Sequence, residues 1–329
     1  MDWRKKKVLV TGGSGFIGSH LVERLCRLGA EVTVLVEYTP YNDLGLLKIL
    51  PKEILAGLKL AAGDLRDPEL TKKIAAKKDI IFNLGALVGI PYSYANPREV
   101  FEVNALGTLN LLLAARDAGA KKIVTTSTSE VYGTALYTPI DESHPLQAQS
   151  PYSASKIAAD KVAEAFCKTY GMPVATIRPF NTYGPRQSDR AIIPTIIIQA
   201  LKKKEIKLGS CAPRRDLTYV SDTVEGFIKI AQSPRSTGQV INIGTGKDIS
   251  IGELAKTILS LMGKDLKITA AAQRKRPQKS EVMRLLCDNK KAKELIGWEP
   301  KVSLETGLKK TIDWIKDHPE YYNPDKYQI

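Results

Sequence analysis

VLVTGGSGFIGSHL, from Val8 to Leu21, decides the fold. An apolar strand-like run enters a turn with glycines at 12, 15 and 18, and a helical pattern follows at once. The first N–H groups of a helix lack partners, and the helix dipole is positive there. A glycine-rich turn lets a backbone-bound anion approach that end closely. In a strand–turn–helix setting the anion is the pyrophosphate of a dinucleotide. Gly12, Gly15, Phe16, Ile17 and Gly18 are therefore candidate cofactor-binding residues. A plain glycine turn is the alternative, and the flanking strand and helix weigh against it.

The strand-then-helix pattern repeats along the chain. KKVLVT, EVTVLV, LKLAAGD, KDIIFNLGA and KKIVTTS are apolar runs of strand length. Helical stretches such as NPREVFEVNALGTLNLLLAARDAG lie between them. This alternation predicts an α/β protein, a Rossmann-type doubly wound parallel sheet with a smaller C-terminal substrate-binding lobe. After about residue 175 the rhythm breaks. The expected division is residues 1–175 for the dinucleotide domain and 176–329 mainly for the lobe. PRRDLTYVSD and QVINIGTG read as returns to the sheet near 215–245. Ligands of such sheets bind beyond the carboxyl ends of the strands.

Of the 329 residues, 43% are hydrophobic and 26% charged, which excludes a disordered chain. No apolar run approaches the ~20 residues of a membrane span, so a cytoplasmic protein with no membrane partner is expected. The four cysteines are dispersed and the three histidines have no ligand spacing, so neither disulfides nor a metal site is expected. The net charge of +14 raises nucleic acid as a partner. The lysines and arginines are scattered, however, without an aromatic-interleaved stripe, and the reading is no nucleic acid.

The spacing G-x-x-G-x-x-G differs from the G-x-G-x-x-G of ordinary dehydrogenases. With Gly63-Asp64-Leu65 and VNALGTLN at 103–110, it resembles the extended short-chain dehydrogenase/reductase family, whose members act on nucleotide sugars. The resemblance implies that Asp64, with Leu65, meets the adenine ring; a turn carboxylate is the plainer reading of Asp64. The acid that usually ends the second strand is replaced by Val36, with Glu37 next. Glu37 bonding the ribose favours NAD, with NADP not excluded; a plain exposed loop residue is the alternative.

Tyr152 and Lys156 in SPYSASKIAADKVAEAFCKTYG are four apart and share a helix face. This Y-x-x-x-K resembles the family hallmark. The lysine ammonium, together with the positive charge of a nicotinamide, should lower the tyrosine pKa and let it act as a base. Matching TTSTSEVYG (125–133) to the family triad makes Thr128 the hydroxyl partner. Thr128-Ser129-Glu130 is similar to the T-S-E of GDP-mannose 4,6-dehydratases and of UDP-xylose synthases, and departs at Ser129 from the T-D-E of dTDP-glucose dehydratases. A carboxylate there could take the C5 proton of a 4-keto sugar, or be only a turn acid. A 4-epimerase usually has no acid at this position.

RPFNTYGPRQ, RRDLTYVSD and RKRPQKSEV resemble the family's nucleotide-sugar motifs, which implies diphosphate or sugar contacts from Asn181, Arg215 and Arg276. Ser93 either touches the sugar or caps a helix. ALVGIPYSYANP and the 125–156 region are similar to the N-acetylglucosamine 4,6-dehydratases of legionaminic-acid synthesis. The implied partner is a nucleotide-diphosphate sugar. The implied activity is an NAD-dependent 4,6-dehydratase on GDP- or UDP-N-acetylglucosamine. Decarboxylase, 4-epimerase and a cofactor-binding regulator stay open as alternatives. Leu109, Leu112, Leu113, Ala158, Val162 and Phe166 cover more than one helix face, so a homodimer is expected.

Overall fold

The computed structural model describes residues 1–41, 43–271 and 280–322. The chain begins β1 (Lys7–Thr11), α1 (Phe16–Arg27), β2 (Glu31–Val36), α2 (Lys52–Gly57), β3 (Lys59–Ala62), α3 (Pro68–Ala75) and β4 (Ile80–Asn83). It continues α4 (Ile90–Ala95), α5 (Pro97–Phe101), α6 (Gly107–Asp117), β5 (Lys122–Thr126), α7 (Pro151–Tyr170), β6 (Val174–Pro179) and β7 (Asn181–Tyr183). Next come α8 (Ile192–Lys202), β8 (Glu205–Leu208), β9 (Arg214–Tyr219), α9 (Val220–Gln232), β10 (Val240–Ile243) and β11 (Asp248–Ser250). The chain then runs α10 (Ile251–Leu261), β12 (Lys267–Ala270), β13 (Arg284–Leu285), α11 (Lys290–Ile296) and α12 (Leu304–Asp317).

Seven parallel strands form the central sheet in the order β10-β6-β5-β4-β1-β2-β3. Side chains alternate between its faces. Val8 and Val10 pack with Leu21, Val22 and Leu25 of α1, while Leu9 faces Ile81, Leu111 and Leu112 on the other side. Both faces are covered, as the near-continuous apolar strands require. The strand order reverses between β1 and β4, where Thr11 pairs Asn83 and their side chains bond at 2.7 Å. The cleft opens at that switch point.

One expected return to the sheet does not occur. β9, from PRRDLTYVSD, joins β7, β11 and β13 in a separate sheet, and only β10 returns, parallel to β6. The apolar VINI of β10 suits a sheet covered on both faces. β9 carries Arg214, Arg215 and Asp216, charges that need polar partners from the C-terminal lobe. The break at residue 175 falls inside β6. β8 and β12 form a further parallel pair.

The helix read from Asn96 to Ala118 also differs. α5 and α6 are joined by a π turn, Glu102–Leu106. That wider turn carries Asn104, which is buried and accepts from the Leu87 amide while donating to the Leu87 carbonyl and to Ser155 of α7. Among the described residues, no helix is long and apolar enough to cross a membrane.

Candidate active site

A cleft of about 520 Å³ lies over the carboxyl ends of the strands. The glycine turn forms one end. Gly12 has φ +67°, a conformation open to glycine. A Cβ on Gly18 would lie 2.1 Å from the Gly12 carbonyl oxygen, so α1 can start this close to the turn only with glycine there. No side chain caps α1, and its first turn holds no acid. Its leading amides are thus left for an anion at the cleft wall, where Gly15, Phe16, Ile17 and Gly18 all lie.

Glu37, Asp64 and Leu65 line the same cleft. Glu37 is exposed directly after β2. Asp64 is clasped by Arg66 at 2.6 and 3.0 Å, which holds its carboxyl below the usual range. Two buried polar atoms in lining residues, Thr126 Oγ1 and Asn181 Nδ2, have no protein partner. Orphaned polar atoms and uncapped amides are what a polar, anionic dinucleotide or its co-substrate would satisfy. The residues present fit such a group.

The chemical end of the cleft is built by α7 and the loop after β5. α7 starts where Ser150 caps it and Pro151 takes the first turn, and it ends at Gly171 in the left-handed conformation. That register brings Tyr152 to the cleft wall and buries Lys156 one turn behind it. Thr128 caps the short 3₁₀ turn Ser129–Tyr132 by accepting from the Glu130 amide at 3.2 Å. The cleft is thereby lined by Thr128, Glu130 and Tyr152 together.

Burial dominates the electrostatics of the protein's own groups. Burial pushes the Tyr152 phenol well above its ordinary value; a hydrogen bond with Thr128 pulls it back, and the Glu130 and Asp160 carboxylates add to the rise. Lys156 is not among the groups lowering it. Burial pushes the Lys156 ammonium itself down to about 8, opposed by Asp160. The desolvation of this deep position outweighs the charge effect that spacing alone suggested.

The other expected residues are dispersed. Ser93 neither caps a helix nor lines the cleft: it is fully buried inside α4, and its hydroxyl donates to the Ile90 carbonyl at 2.7 Å. Arg215 lies buried in β9 and pairs with Glu281 at 3.2 Å. Arg276 lies outside the described residues. Among those described, no group of three or more histidine, cysteine or acidic side chains could hold a metal ion. Sequence reasoning missed Asp160, Arg178 and Tyr132, a buried cluster beneath Thr128 and Glu130. Its one legible signal was Asp160, four residues past Lys156 on the same helix face.

The model of the family described as GDP-mannose 4,6 dehydratase matches residues 9–311. The chain belongs to this family. Within it, the chain is 34% identical to a UDP-N-acetyl-alpha-D-glucosaminuronate decarboxylase of Bacillus cytotoxicus, over 95% of this chain and 98% of that one. It is 33% identical to a putative UDP-glucose 4-epimerase of Methanocaldococcus jannaschii, covering 94% and 99%. The solved dTDP-glucose 4,6-dehydratase DesIV of Streptomyces venezuelae, with NAD and TYD bound, superposes with a TM-score of 0.86 at 32% identity, covering 97% of this chain and all of that one. The family is thus an enzyme family of nucleotide-sugar dehydratases, epimerases and decarboxylases, on an extended short-chain dehydrogenase/reductase fold.

Proposed function

We propose that this chain is an NAD-dependent nucleotide-sugar 4,6-dehydratase that makes a 4-keto-6-deoxy sugar from GDP- or UDP-N-acetylglucosamine. The observation that carries the reading is the Glu130 carboxylate on the same cleft wall as Thr128 and Tyr152. Handling a C4 hydroxyl alone, as a 4-epimerase does, leaves that acid without work. Gly12 to Gly18 would hold the pyrophosphate of NAD, with Glu37 at the ribose, Asp64 at the adenine and Lys156 at the nicotinamide end. NAD, when bound, supplies a hydride acceptor and a cationic ring beside the phenol.

In this reading Tyr152 takes the C4 hydroxyl proton, with Thr128 hydrogen-bonded beside it. Oxidation at C4 acidifies C5–H. Glu130 would remove that proton and pass it to the C6 hydroxyl, which leaves as water. The hydride taken from C4 is given to C6, and C5 regains a proton, balanced by the one released from the C4 hydroxyl through Tyr152. The protein supplies orientation and proton transfer. Asn181, with its unpartnered buried amide, would grip the diphosphate or sugar, as would Arg215 and Arg276. The same reading makes the protein a homodimer through α5, α6 and α7. Leu112 and Phe166 are buried within the chain, but Phe101 of α5, Leu106 of the π turn and Tyr170 of α7 stay exposed.

The 34% identity to a decarboxylase favours a second reading, loss of a 6-carboxylate as carbon dioxide through the same residues. Incubation with UDP- and GDP-sugars, including the uronates, and mass analysis of products separates them. A mass loss of water on N-acetylglucosamine nucleotides is expected. Carbon dioxide release from a uronate, with no loss of water from any other sugar, would overturn the dehydratase reading.

A further inference from the structure

Beneath the turn that carries Glu130 lies a buried polar cluster with no part in the steps above. Arg178, on β6, donates from Nε and Nη2 to Asp160 Oδ2 at 3.1 and 2.9 Å. Both side chains are almost fully buried. Ser127 donates to the same carboxylate oxygen at 2.8 Å. Arg178 Nη1 donates to the Tyr132 hydroxyl at 2.9 Å, and that hydroxyl donates onward to Asn242 of β10 at 2.7 Å. The Arg178 guanidinium also stacks 4.9 Å from the Tyr132 ring centre.

The chain order of these contacts carries the argument. Ser127 and Tyr132 bracket the segment 128–131, which holds Thr128 and Glu130. Each bracket is tied by its side chain to one and the same ion pair. The Thr128 hydroxyl is engaged with the Glu130 amide and with Tyr152. The Glu130 carboxylate, in contrast, has no hydrogen-bond or ion-pair partner among the described residues. Its aim therefore depends on the backbone of the turn. The two side-chain ties hold that turn jointly with Gln147, whose amide and side chain donate to the Val131 and Tyr132 carbonyls. Buried ion pairs are weak sources of stability, and their better-attested use is to fix one arrangement. Buried hydrogen-bonded networks of this kind rigidify what they touch.

We propose that the Asp160–Arg178 pair is a positioning clamp: through Tyr132 it aims Glu130 at C5, and through Ser127 it sets Thr128 beside Tyr152. The inference rests on the dehydratase reading. The two arms are separable. The Tyr132 arm lies next to Glu130 and serves the C5 step. The Ser127 arm adjoins Thr128 and serves oxidation at C4, on which the C5 step depends.

The test uses Tyr132→Phe and Ser127→Ala in the full-length protein, with UDP- and GDP-N-acetylglucosamine as probes. Stopped-flow absorbance of the reduced nicotinamide reads C4 oxidation. Deuterium uptake from solvent reads the C5 step. Tyr132→Phe keeps its ring packing, so C4 oxidation should stay within about twofold, while C5 exchange falls roughly 10- to 100-fold, the range expected from a displacement of about 1 Å. KM should stay unchanged while kcat falls. Ser127→Ala should slow both steps together.

Wild-type rates of C5 exchange in Tyr132→Phe would overturn the clamp while leaving the dehydratase reading intact. An equal loss in both steps for both variants, tracking a lowered melting temperature, would also overturn it, since a purely structural role acts that way. If Tyr132→Phe does not fold, Ser127→Ala decides: wild-type rates of both steps overturn the proposal, and slowed rates at an unchanged melting temperature support it. A wild-type protein that oxidises C4 but never exchanges C5 removes the dehydratase reading, and the clamp's purpose with it.

Discussion

Lys156→Met should stabilise the protein as it abolishes turnover. The wild-type ammonium is buried in α7, and burial brings its pKa from 10.5 to about 8. Each unit of such a shift corresponds to about 1.4 kcal/mol, so holding the charge at neutral pH costs on the order of 3 kcal/mol. Methionine keeps an unbranched stem of similar volume and removes the charge. For a chain of this size the gain corresponds to roughly 4 °C in Tm. The sign of the pH dependence follows. The folded pKa is lower than the unfolded one, so between about pH 8 and 10.5 the unfolded wild type holds the extra proton, and wild-type stability rises with pH. The methionine variant lacks that rise. Urea unfolding followed by circular dichroism, at intervals from pH 7 to 10.5, should show a gap that is widest at pH 7 and closes towards 10.5. A variant less stable than wild type at pH 7, or a gap that ignores pH, would mean that the buried charge is fully compensated.

Tyr152→Phe should lower turnover at least ~10²-fold, the usual contribution of a positioned general base, while NAD binding measured by calorimetry changes little. Normal turnover would place the chemistry elsewhere. Gly18→Ala forces a Cβ against the Gly12 carbonyl at 2.1 Å, so α1 must retreat from the turn. NAD affinity should fall more than tenfold, and stability by roughly 1–3 kcal/mol as in other overpacked sites; calorimetry and thermal melts check both. Light scattering at micromolar concentration should give twice the 36.2 kDa of one chain, and a single-chain mass would remove the proposed α5–α7 interface.

Features that depend on local backbone were legible in the sequence. The glycine turn announces itself because only glycine allows its close approach, and α7 because Ser150, Pro151 and Gly171 mark both ends. The parallel sheet follows from strands whose apolar runs alternate with helices. Long-range choices were hidden. Strand pattern does not reveal a strand's partner, so Arg214–Tyr219 reads like a return to the central sheet yet pairs with β7, β11 and β13. Ser93 looks available in sequence, but its hydroxyl is consumed by the carbonyl three residues back. Asp160 and Arg178 are 18 residues apart, and only folding shows that they meet under Glu130. The depth of Lys156, which lowers the pKa of its own ammonium, is likewise a property of packing and not of spacing.

Glu130→Gln separates a catalytic carboxylate from a turn acid. Glutamine keeps the shape and can hydrogen-bond, so the fold and substrate binding should survive. Mixing the variant and NAD with UDP- or GDP-N-acetylglucosamine in deuterium oxide should build up the absorbance of reduced nicotinamide, because the proposed mechanism assigns oxidation at C4 to Thr128, Tyr152 and Lys156. Deuterium should not enter C5, and almost no 4-keto-6-deoxy sugar should form. A turn acid with only a structural role predicts lowered stability, within the ~0.5–3 kcal/mol of ordinary substitutions, and intact chemistry. C5 exchange at the wild-type rate in Glu130→Gln would contradict the account.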